Sequence, residues 1–139
     1  MQYDISSLNQ LEQFANDFAK KLNPGQVIAL EGELGSGKTT FTQLLVKALG
    51  SDAVVRSPTF TILHEYDWKN GQNIFHLDLY RLKSLHEVQN IGLEEMITEG
   101  NHLLLIEWPK LAETLLPSDT LRLKFIKESE NQRYIDISK

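Results

Sequence analysis

A glycine-rich octapeptide at residues 32–39 constrains this chain more than any other feature. Its sequence, which matches the pattern G-x-x-x-x-G-K-[ST], is Gly32-Glu33-Leu34-Gly35-Ser36-Gly37-Lys38-Thr39. The apolar residues 27–30 before it are typical of a buried strand, and apolar residues at helical spacing follow from Phe41. Strand, loop and helix in this order are the setting of a phosphate-binding loop. We therefore expect an α/β fold that binds a nucleotide.

The residue types of this loop suit a polyphosphate. Glycines allow the backbone N–H groups to point at an anion, some of them at dihedral angles that a Cβ atom disfavours. The start of the following helix adds unpaired amides and the positive end of its dipole. We expect Lys38 to place its charge on the terminal phosphates and the Thr39 hydroxyl to coordinate a bridging Mg²⁺ ion.

Two acidic residues at the ends of predicted strands are candidates for holding the metal and placing the attacking water. Glu107 follows the apolar residues 103–106, as the acid of a Walker B element follows its strand, although aspartate is usual there. Asp78 ends the extended stretch of residues 73–77. Their spacing leaves open which of the two lies closer to the metal.

The remaining pattern predicts helices on both sides of a sheet. Ser7 and Gln10 form a capping box before a helix that ends at Pro24-Gly25. The residues predicted on its buried stripe are Leu8, Leu11, Phe14, Ala15, Phe18, Ala19 and Leu22. The helix after the loop is predicted to bury Phe41, Leu44, Leu45, Ala48 and Leu49.

Turn and cap signals divide the second half of the chain. Asn70-Gly71 between two β-rich stretches predicts a hairpin. A helical region begins at Ser84, breaks at Gly92 and ends near Gly100, and a short helix lies between Pro109 and Pro117. Alternating residues near the C-terminus predict a closing hairpin. We expect one domain over residues 1–139, with the mixed sheet of P-loop NTPases flanked by helices and carrying antiparallel hairpins.

Charge and composition exclude several classes of protein. Fourteen Lys and Arg against nineteen Asp and Glu give a formal net charge of −5, so no global basic field favours direct nucleic-acid binding. Without cysteine the chain has no disulfide or thiolate metal site. Residues 1–10 lack signal-peptide features, and apolar runs such as residues 103–106 are far below the about 20 residues that span a bilayer. We expect a cytoplasmic protein without membrane contact.

Four motifs in order along the chain carry a family resemblance. They are GELGSGKTTF, SPTFTILHEY, HLDLYR and IEWP, and the similarity extends over nearly the whole sequence. Together they resemble the small bacterial ATPase family TsaE, also called YjeE, which helps to make threonylcarbamoyladenosine in tRNA. The resemblance implies ATP and Mg²⁺ as cofactors and slow hydrolysis by the isolated protein.

The resemblance also implies roles for individual residues. Thr39 and Glu107 would bind Mg²⁺, while Lys38, Asp78, Glu107 and Thr59 would be catalytic. Ser57-Pro58-Thr59 would act as a switch-like segment, and Trp108 would line the pocket. The nucleotide contacts would come from Gly32, Glu33, Leu34, Gly35, Ser36, Gly37, Lys38, Thr39, Thr40, Ser57, Asp78 and Trp108, with peripheral contacts from Leu8 and Arg133.

The expected partners and the alternatives complete this interpretation. The resemblance implies that the protein works with the TsaD–TsaB transferase pair, so contact with tRNA would be indirect. The chain contains no N-K-x-D segment of the kind that reads guanine in many GTPases, which favours adenine. A small nucleoside or nucleotide kinase, or a subunit that binds ATP without hydrolysing it, would use the same loop.

Overall fold

The computed structural model describes residues 1–52 and 62–139, which form a mixed sheet with helices on both faces. In chain order the elements are β1 (Gln2–Asp4), α1 (Leu8–Ala19), β2 (Val27–Glu31), α2 (Lys38–Ala48), β3 (Leu63–Asp67), β4 (Asn73–Asp78), α3 (Leu85–Asn90), α4 (Leu93–Glu99), β5 (Leu103–Glu107), a 3₁₀ helix (Pro109–Leu115), β6 (Leu121–Ser129) and β7 (Gln132–Ser138). The predicted α/β architecture is confirmed.

The seven described strands form one sheet in the order β1-β7-β6-β2-β5-β4-β3. Four neighbouring strands, β6, β2, β5 and β4, are parallel. Antiparallel strands complete both sides, with β3 on β4 at one edge and β7 and β1 beyond β6 at the other. The parallel core explains why β2 and β5 are almost wholly apolar, because strands covered on both faces have no solvent side.

Alternate residues of the central strands feed two separate hydrophobic clusters. Ile28 and Leu30 of β2 face α1 and α2, whose packing includes the rings of Phe14, Phe18 and Phe41. Val27, on the opposite face, belongs to the cluster that contains residues of α3, α4 and the 3₁₀ helix. The sheet is therefore the middle layer of three, and its two faces follow from the period of two along a strand.

The first helix begins where the sequence predicts but buries a shorter stripe. Ser7 and Gln10 form the reciprocal capping box, and Leu11 and Phe14 are buried. Leu8 lies 64% exposed, so its predicted burial was wrong. It is the first helical residue after the cap, and the packed part of the stripe begins one turn later. The same kind of error affects Ala48, which is exposed in the last turn of α2.

The predicted turns and breaks in the second half of the chain are present, whereas the first helix ends at Ala19 and not at Pro24-Gly25. Asn70 and Gly71 both have positive φ, 54° and 74°, as a type I′ hairpin turn requires, and they join β3 to β4. Ser84 caps α3 by accepting from the Glu87 N–H, and Gly92 separates α3 from α4. The predicted closing hairpin is the β6–β7 pair.

This topology brings the carboxyl ends of β2, β4 and β5 to one edge of the sheet, next to the start of α2. Leu30 pairs with Glu107, which pairs in turn with Asp78, so the loop after β2 and both candidate acids meet there. In open sheets of this kind ligands bind beyond the carboxyl ends of the strands. None of the helices in residues 1–52 and 62–139 combines the length and apolar character that crossing a membrane requires.

Candidate nucleotide site

The backbone of the glycine-rich loop, residues 32–39, depends on glycine at two positions. Gly32 has φ +143°, and a Cβ atom there would lie 2.8 Å from the Phe125 carbonyl oxygen. Gly37 caps α2 in the left-handed region at φ 112°. Both conformations are strained for residues with a side chain. The loop therefore connects β2 to α2 through two backbone conformations that only glycine adopts without strain.

The loop forms one wall of a cavity of about 300 Å³. The loop and the first turn of α2 contribute Leu34, Gly35, Gly37, Lys38, Thr39 and Thr40. The opposite wall consists of Asp78 and Glu107, the last residues of β4 and β5, and of Trp108, which follows Glu107. Ile62, Tyr80 and Arg81 complete the lining. Residues from all four sequence motifs therefore share one concave surface.

Lys38 lies inside this cavity with only 5% of its surface exposed. Its Nζ donates to the Gly32 carbonyl oxygen at 2.6 Å and lies 3.9 Å from the centre of the Trp108 ring. Burial lowers the pKa of Lys38, while the negative charges of Glu107 and Asp78 act in the opposite direction. The ammonium group is thus held by a carbonyl and an aromatic face, contacts that an anion at the loop can replace.

Asp78 and Glu107 are direct neighbours on parallel strands. Asp78 is partly exposed and its Oδ1 accepts from the Tyr80 N–H at 2.9 Å. Burial raises the pKa of Asp78, and the negative charge of Glu107 raises it further. Glu107 is 4% exposed, and its Oε2 lies 2.6 Å from His76 Nε2. Two carboxyl groups at this edge therefore differ in solvent access and in hydrogen-bond partner.

Trp108 turns the chain sharply after Glu107. Its φ and ψ of 55° and 59° are left-handed, which is uncommon for a bulky residue, and its N–H donates to the Leu30 carbonyl at 3.3 Å. The ring lies 4.9 Å from the Tyr80 ring, centre to centre. This backbone conformation directs the indole into the cavity wall beside Lys38.

The residues present fit a Mg²⁺-bound polyphosphate. A Cβ atom built at Gly35 would meet no atom within 4 Å, and Thr39 and Glu107 both line the cavity. Within residues 1–52 and 62–139 no group of three His, Cys, Asp or Glu side chains could hold a metal ion alone. Mg²⁺ typically takes one or two protein oxygens and fills the rest of its shell with phosphate oxygens and water. A hydroxyl and a carboxylate can provide the protein oxygens.

The structure brings most of the predicted site residues together, but not all. Gly32, Glu33 and Ser36 belong to the loop without lining the cavity. Leu8 and Arg133 lie outside the lining as well; the Arg133 backbone bonds to Ser6 and Ile5 where β7 passes the start of α1. Ser57 and Thr59 fall outside the described residues, as does the rest of the predicted switch segment.

Sequence reasoning missed His76 as a member of the site. It is absent from the predicted site residues, yet it is fully buried in β4 and its ring bonds directly to Glu107. A signal was present, since His76 and Asp78 are two residues apart and therefore share one face of a strand. Tyr80 and Arg81 are also absent from the predicted site residues, and both line the cavity.

Comparisons with known proteins agree on one family. The family model described as "Threonylcarbamoyl adenosine biosynthesis protein TsaE" matches residues 5–135. A relative from Bacillus subtilis, named tRNA threonylcarbamoyladenosine biosynthesis protein TsaE, is 40% identical over 118 residues, which cover 85% of this chain and 70% of the relative. A protein of the same name from Rickettsia typhi is 36% identical over 138 residues, or 99% of this chain and 94% of its own.

A solved structure shows the same fold. The crystal structure of Bacillus subtilis YdiB superimposes with a TM-score of 0.78 at 31% sequence identity. The match covers 97% of this chain and 82% of that one. Both the sequence and the three-dimensional arrangement are therefore similar over almost the full length described.

Proposed function

The chain belongs to the TsaE family, and from that premise we propose that it binds Mg²⁺-ATP in the cavity beside the glycine-rich loop and hydrolyses it slowly. The family acts in the biosynthesis of threonylcarbamoyladenosine in tRNA, which sets the pathway. ATP hydrolysis is the finer part of the proposal, and the geometry of the site is its support.

One observation carries the proposal. Buried Lys38 lies between the loop that precedes it and two carboxyl groups at the ends of neighbouring strands. This is the arrangement in which P-loop proteins bind a triphosphate and polarise its terminal phosphoryl group. A merely structural lysine gains little from such burial, because removing its charge from water costs free energy.

The side chains divide the work as follows. The loop amides and Lys38 would bind the phosphate oxygens and stabilise charge that develops on them. Thr39 and Glu107 would hold Mg²⁺, which supplies electrostatic neutralisation of the phosphates when bound. Asp78 is the candidate for orienting the attacking water, because it is the more exposed of the two carboxyl groups. Thr59 stays a predicted contributor from the segment outside the described residues.

We also propose that the protein works with the transferase subunits TsaD and TsaB rather than with tRNA directly. The net charge of −5 supports this division, because a tRNA-gripping surface requires clustered positive charge. The activity would take place in the cytoplasm, where the tRNA substrate of this pathway is found.

Phosphate release tests the proposal directly. The protein is incubated with Mg²⁺ and γ-labelled ATP, with and without a panel of nucleosides and with and without TsaD and TsaB. We expect labelled inorganic phosphate as the product and a changed rate when both subunits are present. Label transferred to an acceptor would show a kinase instead, and binding without product would show a non-hydrolysing subunit.

A further inference from the structure

His76 of β4 is completely buried, with no exposed surface, and it contacts Glu107 in the wall of the cavity. Its Nε2 lies 2.6 Å from Glu107 Oε2. Because a carboxylate oxygen only accepts hydrogen bonds, this contact requires a hydrogen on His76 Nε2. His76 Nδ1 has no hydrogen-bond partner among the described residues, so the ring makes its polar contact with Glu107 alone.

The environment of His76 fixes the ring in place. His64 and Tyr66 of β3 lie beside it, with ring centres at 6.5 and 6.3 Å. Leu105 is its register partner on β5, two residues before Glu107. A side chain enclosed in this way holds one rotamer, so it can define where the carboxylate of Glu107 lies.

The contact also separates two opposite charges. Lys38 and Glu107 are both buried and line the same cavity, yet within residues 1–52 and 62–139 Glu107 pairs with His76 and Lys38 Nζ bonds to Gly32. A direct ion pair between Lys38 and Glu107 would be attractive in such a place, because charges interact strongly away from water. It would also occupy the two groups that the proposed function needs for phosphate and metal.

We propose that His76 is a positioning residue, which holds the Glu107 carboxylate at the metal position and keeps it from pairing with Lys38. The inference rests on the proposed function, because it assumes that Glu107 holds Mg²⁺ at a bound nucleotide. Partners that orient a metal-binding carboxylate typically contribute roughly 10-fold to 100-fold to metal affinity.

Two variants and one control test this role. His76→Leu removes the donor, whereas His76→Gln places an amide N–H at a similar reach from the backbone. The control, His102→Leu, removes a histidine hydrogen bond from the opposite end of the same strand pair. Should His76→Leu not fold, His76→Asn replaces it, since its shorter amide does not reach Glu107.

The first measurement is the calorimetric titration of ADP. One titration contains excess EDTA and no added Mg²⁺, and the others contain a series of Mg²⁺ concentrations without EDTA. For His76→Leu we expect the Mg²⁺ concentration at half-saturation to rise by roughly 10-fold to 100-fold. His76→Gln should lie closer to the wild type than to His76→Leu, and His102→Leu should match the wild type. Equal values for His76→Leu and the wild type, or an equal rise in His102→Leu, would overturn the inference.

The second measurement is independent of nucleotide. In a crystal structure of nucleotide-free His76→Leu we expect the Glu107 carboxylate to have moved into ion-pair distance of Lys38 Nζ. If Glu107 keeps its place, the positioning role is wrong whatever the affinity. If the wild type binds no ADP with or without Mg²⁺, the proposed function fails, while the position of Glu107 in the variant still decides this inference.

Discussion

The two ends of the β4–β5 strand pair carry similar residues in opposite circumstances. At the amino end, His102 Nδ1 accepts from the Asn73 N–H at 3.0 Å and its Nε2 lies 3.2 Å from Glu99. At the carboxyl end, His76 meets Glu107 with its other nitrogen lacking a partner among the described residues. Each end thus has a histidine and a glutamate, but at only one of them is the pair fully buried.

The difference is the one expected between a structural end of a strand pair and an end that binds a ligand. Glu99 is largely in water, so its pairing with His102 costs little desolvation. At the other end burial lowers the pKa of Lys38 and raises that of Asp78, which means that the fold holds both groups where their charges are disfavoured. Such shifts in a cavity are typical of sites that bind or react.

Removing the lysine should have the largest effect. We expect Lys38→Ala to lower the rate of phosphate release by at least about 100-fold, because the buried positive charge that stabilises the phosphates is lost. The fold should persist, since the variant also removes a buried charge. Lys47→Ala, at an exposed lysine in the last turn of the same helix, is the matched control and should hydrolyse ATP normally. Similar rates in both variants would contradict the site.

Glu107, the last residue of β5, and Glu99, the α4 residue that pairs with His102 near the amino end, allow a direct contrast. Glu107→Gln should reduce Mg²⁺-dependent hydrolysis by about 10-fold or more, since an amide binds Mg²⁺ less well than a carboxylate. Glu99→Gln makes the same change at the amino end and should leave the Mg²⁺ titration unaltered. A wild-type titration for Glu107→Gln would remove this residue from the metal site.

The amino end should matter for stability instead. His102→Leu leaves the Asn73 N–H without its acceptor, so we expect the free energy of unfolding to fall by about 1–3 kcal/mol. Urea denaturation followed by circular dichroism measures this loss. Nucleotide affinity should stay unchanged, and a variant that is as stable as the wild type but binds ADP poorly would reverse the contrast between the two ends.

The smallest effect concerns pH. Because the folded-state pKa of Asp78 is raised above 3.8, its charged form lowers stability at pH values above that raised pKa. Asp78→Asn removes this cost and its amide oxygen can still accept from Tyr80, so we expect a modest gain in stability at pH 7. The gain should shrink as the pH falls through the raised pKa toward 3.8. Urea unfolding at several pH values checks the sign, and a gain that grows on acidification would contradict it.

Local sequence signals predicted the parts of the fold that are locally determined. The Ser7 capping box, the Asn70-Gly71 turn and the glycine-rich loop each depend on residues close in sequence, and each is present. The burial of Leu8 was predicted wrongly because helical periodicity gives a direction around the axis but not how far along it the partner surface extends.

The site was predictable residue by residue but not as an arrangement. Asp78 and Glu107 were candidates because each follows an apolar strand, whereas their adjacency requires β4 to pair with β5 across 29 residues of chain in the register that joins them. The contact between His76 and Glu107 depends on the same pairing, so no local pattern states it. Strand order is a property of the whole sheet.

The left-handed turn at Trp108 places an indole, whose fluorescence depends on its surroundings, in the wall of the cavity. The chain has two tryptophans, and only Trp108 lines the cavity, with an ammonium group 3.9 Å from its ring. Trp68 directly follows β3, in the loop that joins β3 to β4, and packs against the hydrophobic cluster that contains Phe14 and Phe41. Withdrawal of Lys38 toward an arriving anion would therefore alter the emission of one indole and leave the other as an internal standard, with no dye attached.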